Sequence, residues 1–372
     1  MLNIGIMTWL HNSNYGTVLQ AYALQSYLRS CGYNITNIDF NATAPEKVKN
    51  LIYCGNSLGL FLEKFEMART KKAADSAMHK IKEERFQRFI TDNFHLTEKI
   101  TSYDQLADYS CSFDTYICGS DQIWSPNLLN PPYYLSFVDK DKKKIAYACS
   151  FGVSSIPGKK KQKIQIYLGR FSHISVREQE GKNIVKDLLG IEVCTTVDPV
   201  FLLDHCEWDS IASGRDVKDH YAFAYFLTYN EDYIRIAKQA AKQLGIQLVL
   251  VPAVREEYRV DAELVQNAGP AEWISLIKHA DVVLTDSFHG CVFSLIYEKP
   301  LMIFRRFKDT SKNSQNSRIY TLVKQYGLKD NVVESFDTAQ LEKIMQYKSN
   351  IRERIDKNAE FSKNWLNCAL RK

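Results

Sequence analysis

Short apolar runs alternate along the chain with longer stretches whose apolar positions recur at helical spacing. Strand-like runs are expected at Ile4–Thr8, Ile35–Phe40, Thr115–Cys118, Lys144–Ser150, His173–Val176 and Glu192–Val197. A second series is expected at Tyr221–Leu227, Gln247–Val251, Val282–Thr285 and Leu301–Phe304. Several of these carry no polar alternation, as parallel strands buried on both faces require. Helical patterns fill the intervals, so the chain reads as a series of βαβ units. In the first helix Asn14 suits the N-cap, Val18, Ala21, Leu24 and Leu28 form one stripe, and Gly32 ends it. Further on, Ile319, Leu322, Val323 and Tyr326 form another stripe closed by Gly327. The Lys/Glu-rich stretch 63–90 is expected to be helical with a solvated face.

With 372 residues the chain is long enough for two domains. The junction is expected near 204–217, giving parallel-sheet domains over 1–205 and 206–345, and residues 339–368 read as helix. Two such domains in series leave a cleft between them. Ligands of parallel sheets bind beyond the carboxyl ends of the strands, where helix N-termini point their amides. Chemistry is therefore expected in the loops that follow strands.

Composition narrows the partners. A hydrophobic share of 45% with 24% charged residues marks a globular chain with a real core. The formal charge of +5 is too small to point to nucleic acid and fits small anions or an anionic membrane surface. Nine cysteines without a C-x-x-C pair suggest a reduced cytoplasmic compartment, and no metal site is expected. The N-terminus opens directly on an apolar run, so no signal peptide is expected. No apolar run approaches the ~20 residues that span a bilayer.

Four loops carry candidate chemistry. In His11-Asn12-Ser13-Asn14-Tyr15-Gly16, Gly16 would let a ligand approach the backbone at a helix start; a capped tight turn explains the same residues. In Gly119-Ser120-Asp121-Gln122-Ile123-Trp124, Asp121 and Gln122 could bind sugar hydroxyls and Trp124 could stack on the ring; alternatively Asp121 caps a turn and Trp124 belongs to the core. In Ser175-Val176-Arg177-Glu178, the guanidinium follows a strand and suits a phosphate or carboxylate; a surface pair with Glu178 is the simpler use. In Asp286-Ser287-Phe288-His289-Gly290, His289 would sit in a first helical turn, where an imidazole can act as a base or accept a hydrogen bond.

In this order the strings NYGTVLQAYALQSYL, FDTYICGSDQIW, ISVREQEG, VDPVFLL, TDSFHGCVFSLIYEKP and NSRIYTLVKQYGL resemble the polysaccharide pyruvyl transferase family, from Ile4 to about Leu328. The resemblance implies an α/β fold with two Rossmann-like domains facing a cleft, GT-B-like, with a final helix at 346–372 packing back on the first domain. It implies phosphoenolpyruvate as donor and co-substrate, a sugar or lipid-linked oligosaccharide as acceptor, and no other cofactor. It implies a bacterial enzyme of surface polysaccharide, exopolysaccharide or capsule assembly, cytoplasmic or peripheral at the inner face of the membrane. On it, His289 is expected in acid/base work or donor contact, Asp121 in orienting the acceptor hydroxyl and Arg177 on the donor anion. Asn14, Tyr15, Gly16, Gln122 and Trp124 are expected around the acceptor. The chain departs from the family at one place: Ser287-Phe288-His289 stands where relatives often carry Arg-Leu-His. This looks like a distinct SFHG branch. Arg305, Arg306 and Arg318, with Lys299 behind them, are the bases that could replace the arginine missing at Ser287. Two other readings fit a two-domain cleft: a GT-B-type glycosyltransferase using a nucleotide sugar, and a non-catalytic sugar-binding assembly protein.

Overall fold

The computed structural model describes residues 1–11, 13–56, 59, 76–306, 317–346 and 351–371. They group into two compact units: Met1–Lys64, Asp92–Leu203 and Lys357–Lys372 form the first, and Phe65–Thr91 and Asp204–Asp356 the second.

The sheet of unit one holds β1 (Asn3–Met7), β2 (Asn34–Asn37), β3 (Thr115–Cys118), β4 (Lys143–Cys149), β5 (His173–Val176) and β6 (Cys194–Thr195), in the spatial order β2-β1-β3-β4-β5-β6. All of its pairings are parallel, with Met7 opposite Cys118 and Cys118 opposite Ala146. Every residue of β3 is buried, which explains its unbroken apolar pattern. After β2 the chain crosses back over β1 to β3, so the order reverses between β1 and β3. Such a switch point opens a crevice at the carboxyl ends of the strands.

Unit two repeats the plan with β7 (Tyr221–Tyr225), β8 (Gln247–Leu250), β9 (Glu263–Leu264), β10 (Val282–Thr285) and β11 (Leu301–Ile303), ordered β11-β10-β7-β8-β9. These pairings are parallel too, and Thr285 lies opposite Tyr225. The switch point here falls between β7 and β10.

The strand runs read from the sequence all appear, β1, β2 and β4 beginning one residue earlier and most of the others ending sooner than expected; the two-residue β9 was not anticipated. The charged stretch differs from expectation. Its described part is the helix Ser76–Asn93, which buries Phe86, Phe89 and Ile90; residues 63–75 lie outside the described residues. Spacings of three and four put these three side chains on one face among the charges. The described residues 76–91 group with unit two rather than with 1–205. One reason is Arg85, whose Nη1 donates to the Asn267 carbonyl at 3.1 Å and whose Nε lies 3.4 Å from Glu272.

At the other end, the helix Ile351–Arg371 gives its residues from Lys357 onward to unit one. Ser362 Oγ accepts from the Val197 amide at 3.0 Å, Asn367 Nδ2 donates to the Tyr27 hydroxyl at 3.0 Å, and Leu366 is fully buried.

Candidate active site

At the switch point of unit one, the helix Tyr15–Ser30 starts just beyond β1. Asn14 caps it, its side chain accepting from the Thr17 amide at 3.2 Å. Thr17 Oγ1 in turn donates to Asp121 Oδ2 at 2.8 Å. The loop after β3 is held from several sides: the Ser120 amide donates to Gln20 Oε1 at 2.8 Å, and Ser120 Oγ donates to the Ala148 carbonyl at 2.7 Å. The Gly119-Ser120 peptide is cis, and Asp121 has a φ of 67°. Gly119 has no substitute here, because a Cβ would come within 2.0 Å of the Tyr147 carbonyl oxygen.

Arg177 reaches this loop from the end of β5, but as an internal residue. Its side chain is 3% exposed, with Nη1 2.6 Å from Asp198, Nη2 3.4 Å from Asp121 and Nε 3.9 Å from Glu178. Burial works against its charge, and the three carboxylates outweigh burial, so its pKa stands above the ordinary arginine value. This corrects the expectation of a guanidinium offered at the strand edge to a donor anion. It also corrects the simpler surface pair with Glu178, since the shortest partner is Asp198.

The aromatic platform is corrected as well. Trp124 is fully buried, stacked on Tyr134 with ring centroids 5.3 Å apart, and its indole N–H donates to the Tyr133 carbonyl at 3.0 Å. It is a core residue that presents no face to a sugar. Tyr15 and Gly16 are likewise buried in the first helical turn. Gln122 is half-buried against Gly152. Of the proposed acceptor residues, Asn14 and Gln122 therefore keep partly accessible side chains. His11, which heads this candidate loop and was given no role of its own from the sequence, meets Asp39 through Nε2 and Oδ1 beside the same helix start.

At the switch point of unit two, Thr285 ends β10 and its Oγ1 donates to the Tyr225 carbonyl at 2.6 Å. The Ser287 amide donates to Thr285 Oγ1 at 3.0 Å. Ser287 is the N-cap of the helix Phe288–Ile296, its Oγ accepting from the Gly290 amide at 3.3 Å. His289 is the second residue of that helix and is buried. Gly290 lies so close to the strand that a Cβ would meet Thr285 Oγ1 at 2.6 Å.

Asp286 joins the two switch-point loops: its Oδ1 accepts from the Leu227 amide, just past β7, at 2.7 Å. Burial pushes its carboxyl up to about 6, against the Leu227 amide and the nearby Arg306 charge, which pull it down. Glu257, on the short turn Arg255–Arg259 after β8, is fully buried. Its Oε2 accepts from the Ala253 amide at 2.7 Å, and burial lifts its carboxyl to about 7, with Asp286 adding to the rise. Among the described residues Glu257 Oε1 and Asp286 Oδ2 have no hydrogen-bond partner. Glu257 was not singled out from the sequence, where nothing marks a glutamate in a Glu-Glu pair as buried.

The three candidate arginines separate. Arg306 sits at the crevice, with Nε donating to Thr228 Oγ1 at 3.0 Å. Arg318 lies 6.0 Å from the centroid of the Phe288 ring. Arg305 is turned to Glu334, which its Nη2 meets in a short ion pair. Lys299, half-buried, has its pKa lowered by burial and is placed before β11, at the opposite end of the strand. Asp204, His205 and Cys206 bring three potential metal-ligand atoms within 4.8 Å of one another, but all three residues are exposed and Asp204 is engaged in capping the helix His205–Asp209.

Two solved structures share the architecture. Arabidopsis thaliana UGT89C1 complexed with UDP-L-rhamnose matches with a TM-score of 0.55 at 11% identity, covering 100% of this chain and 98% of that one. UDP-N-acetylglucosamine 2-epimerase from Rickettsia bellii matches with a TM-score of 0.53 at 8% identity, covering 100% and 96%. At such identities the likeness bears on the fold, which is α/β with two Rossmann-like domains of the GT-B-like class. No curated protein matches the sequence. The family model for polysaccharide pyruvyl transferase matches residues 14–306, a span that begins at the cap of the first helix, takes in both switch-point loops and ends on Arg306. With most of its length and both loops inside that match, the chain belongs to the polysaccharide pyruvyl transferase family.

Proposed function

We propose that the chain transfers the pyruvyl group of phosphoenolpyruvate onto a sugar, forming a cyclic ketal, as a cytoplasmic step of bacterial surface-polysaccharide or exopolysaccharide assembly. Family membership supports the transfer. The observation that carries the choice of residues is the crevice of unit two, where a capped helix N-terminus and His289 in its first turn follow β10, and Arg306, beyond β11, reaches Thr228 past β7.

The chemistry asks for a proton donor, a proton acceptor and a cationic clamp. A proton is delivered to the methylene carbon of phosphoenolpyruvate, leaving an oxocarbenium-like centre at the adjacent carbon. A sugar hydroxyl bonds to that carbon and gives up its proton. The bond to the phosphate oxygen breaks, and a second hydroxyl closes the ketal as its proton leaves. His289 is assigned to proton transfer, and the amides of the Phe288–Ile296 helix start to the donor anion. Arg306 and Arg318 take the clamping role first expected of Arg177 and of an arginine at Ser287. Asp121 keeps its assignment to the acceptor hydroxyl: Thr17 and Arg177 fix its carboxylate.

The test is release of inorganic phosphate from phosphoenolpyruvate in the presence of a lipid-linked or free oligosaccharide, with the ketal identified by NMR. Phosphate release that depends on both substrates supports the reading. Turnover of a nucleotide sugar in its place would give the chain to glycosyl transfer, and binding of the sugar without turnover of either donor would make it a sugar-binding protein. Single Arg306→Ala and Arg318→Ala variants that both bind phosphoenolpyruvate as tightly as the parent would remove the clamp assignment.

A further inference from the structure

Four of the large apolar side chains exposed among the described residues sit on two neighbouring helices of unit one. Val48, Ile52 and Tyr53 belong to Ala44–Tyr53 and Ile166 to Gly158–Leu168, at 42%, 75%, 66% and 61% exposure. Val48 and Ile52 are four residues apart and share a face. The helices meet where Lys163 Nζ donates to the Tyr53 carbonyl at 2.7 Å and lies 3.5 Å from the centroid of the Tyr53 ring. Lys160 Nζ adds a bond to Asn56 Oδ1 at 2.6 Å. Ile166 stands one turn beyond Lys163, on the same side of its helix.

The charge on these two helices is predominantly positive. The two helices carry Lys47, Lys49, Lys159, Lys160, Lys161 and Lys163 against Glu46 alone. They hold the whole formal excess of +5; the rest of the chain is formally neutral. Lys47, Lys49, Lys159 and Lys161 are exposed.

We propose that this face docks on an anionic lipid bilayer. Exposed aliphatic and aromatic side chains ringed by lysines suit the headgroup boundary, where apolar tips enter the acyl edge and ammonium groups meet lipid phosphates. A second copy of the chain would instead set two strongly basic surfaces against each other. Among the described residues no helix is long and apolar enough to cross a membrane, so the attachment is interfacial. The proposal stands apart from the assignment of donor and acceptor.

The experiment is co-sedimentation of the full chain with phosphatidylcholine vesicles and with vesicles that also contain phosphatidylglycerol. Binding is expected to the second kind, at least about tenfold tighter than to the first, and to weaken as salt screens the lysines. The Lys159→Glu/Lys161→Glu variant alters only exposed side chains and should lose most of this binding with an unchanged thermal midpoint. The Ile52→Ser variant should weaken it several-fold at the same salt. Equal sedimentation with both kinds of vesicle, or none with either, overturns the proposal. So does a dimer in gel filtration that Ile52→Ser dissociates, because the face would then belong to a second copy.

Discussion

At the scale of single residues, His289 and Arg177 illustrate opposite uses of a polar side chain at a strand end. His289 is buried in a first helical turn, so His289→Ala should cost some stability without unfolding the chain, and lower turnover by roughly two orders of magnitude or more, as loss of a general acid or base does. Steady-state kinetics with phosphoenolpyruvate and the acceptor, beside a thermal melt, check this; full turnover in a folded variant removes the role. Arg177 is surrounded by Asp198, Asp121 and Glu178. Removing one partner of a buried charge cluster leaves the others uncompensated, so Arg177→Met should destabilise unit one by about 3–5 kcal/mol. A denaturation midpoint equal to the parent's would show that the carboxylates find other relief. The sequence did not reveal this cluster because Asp198 lies 21 residues further along the chain and enters the loop only through the sheet. Trp124 was ambiguous for a related reason: an aromatic residue after a polar loop has the same sequence whether it stacks on a sugar or on Tyr134.

At the scale of elements, continuous apolar runs such as Thr115–Cys118 and Val282–Thr285 were readable to the residue, since both faces of these strands are buried. Elements defined by a partner were not. The two-residue β9 exists through its pairing with β8, and the helix Ser76–Asn93 hides three core residues among charges. Asp286 and Glu257 give the second sheet a pH dependence. Both carboxyls are raised in the folded chain, to about 6 and about 7, so folding takes up protons between the ordinary carboxylate range and those values. Stability is therefore greatest at the acidic side of this window and falls as pH rises through it. Glu257→Gln removes one ionisation, so relative to the parent it should gain on the order of 2 kcal/mol between pH 5 and pH 8. Urea denaturation at the two pH values measures the gain, and an unchanged difference would place the titration elsewhere. Strand and helix also meet here at a spacing that no side chain fits. Position 290 cannot gain a methyl group unless Thr285 retreats, and Thr285 holds both the Tyr225 carbonyl and the Ser287 amide.

At the scale of the whole molecule, the two parallel sheets were legible from the order of apolar runs, whereas the way distant segments complete each unit was set by contacts that no local pattern records. The last part of the chain is such a segment. It supplies Ser362 to the Val197 amide, Asn367 to Tyr27, and the carbonyl of Leu370 to Lys143 at 3.0 Å. Truncation after Asp356 should therefore weaken unit one selectively. Hydrogen exchange should quicken at Val197 and its neighbours while β7, β8 and β10 keep their protection; uniform loss across both sheets would contradict this. The same helix has a consequence for synthesis on the ribosome. Unit one is begun before unit two, yet one of its pieces is made only after the second sheet. The Val197 amide must wait through the translation of the whole second sheet before Ser362 arrives, so unit one is begun before unit two and completed after it.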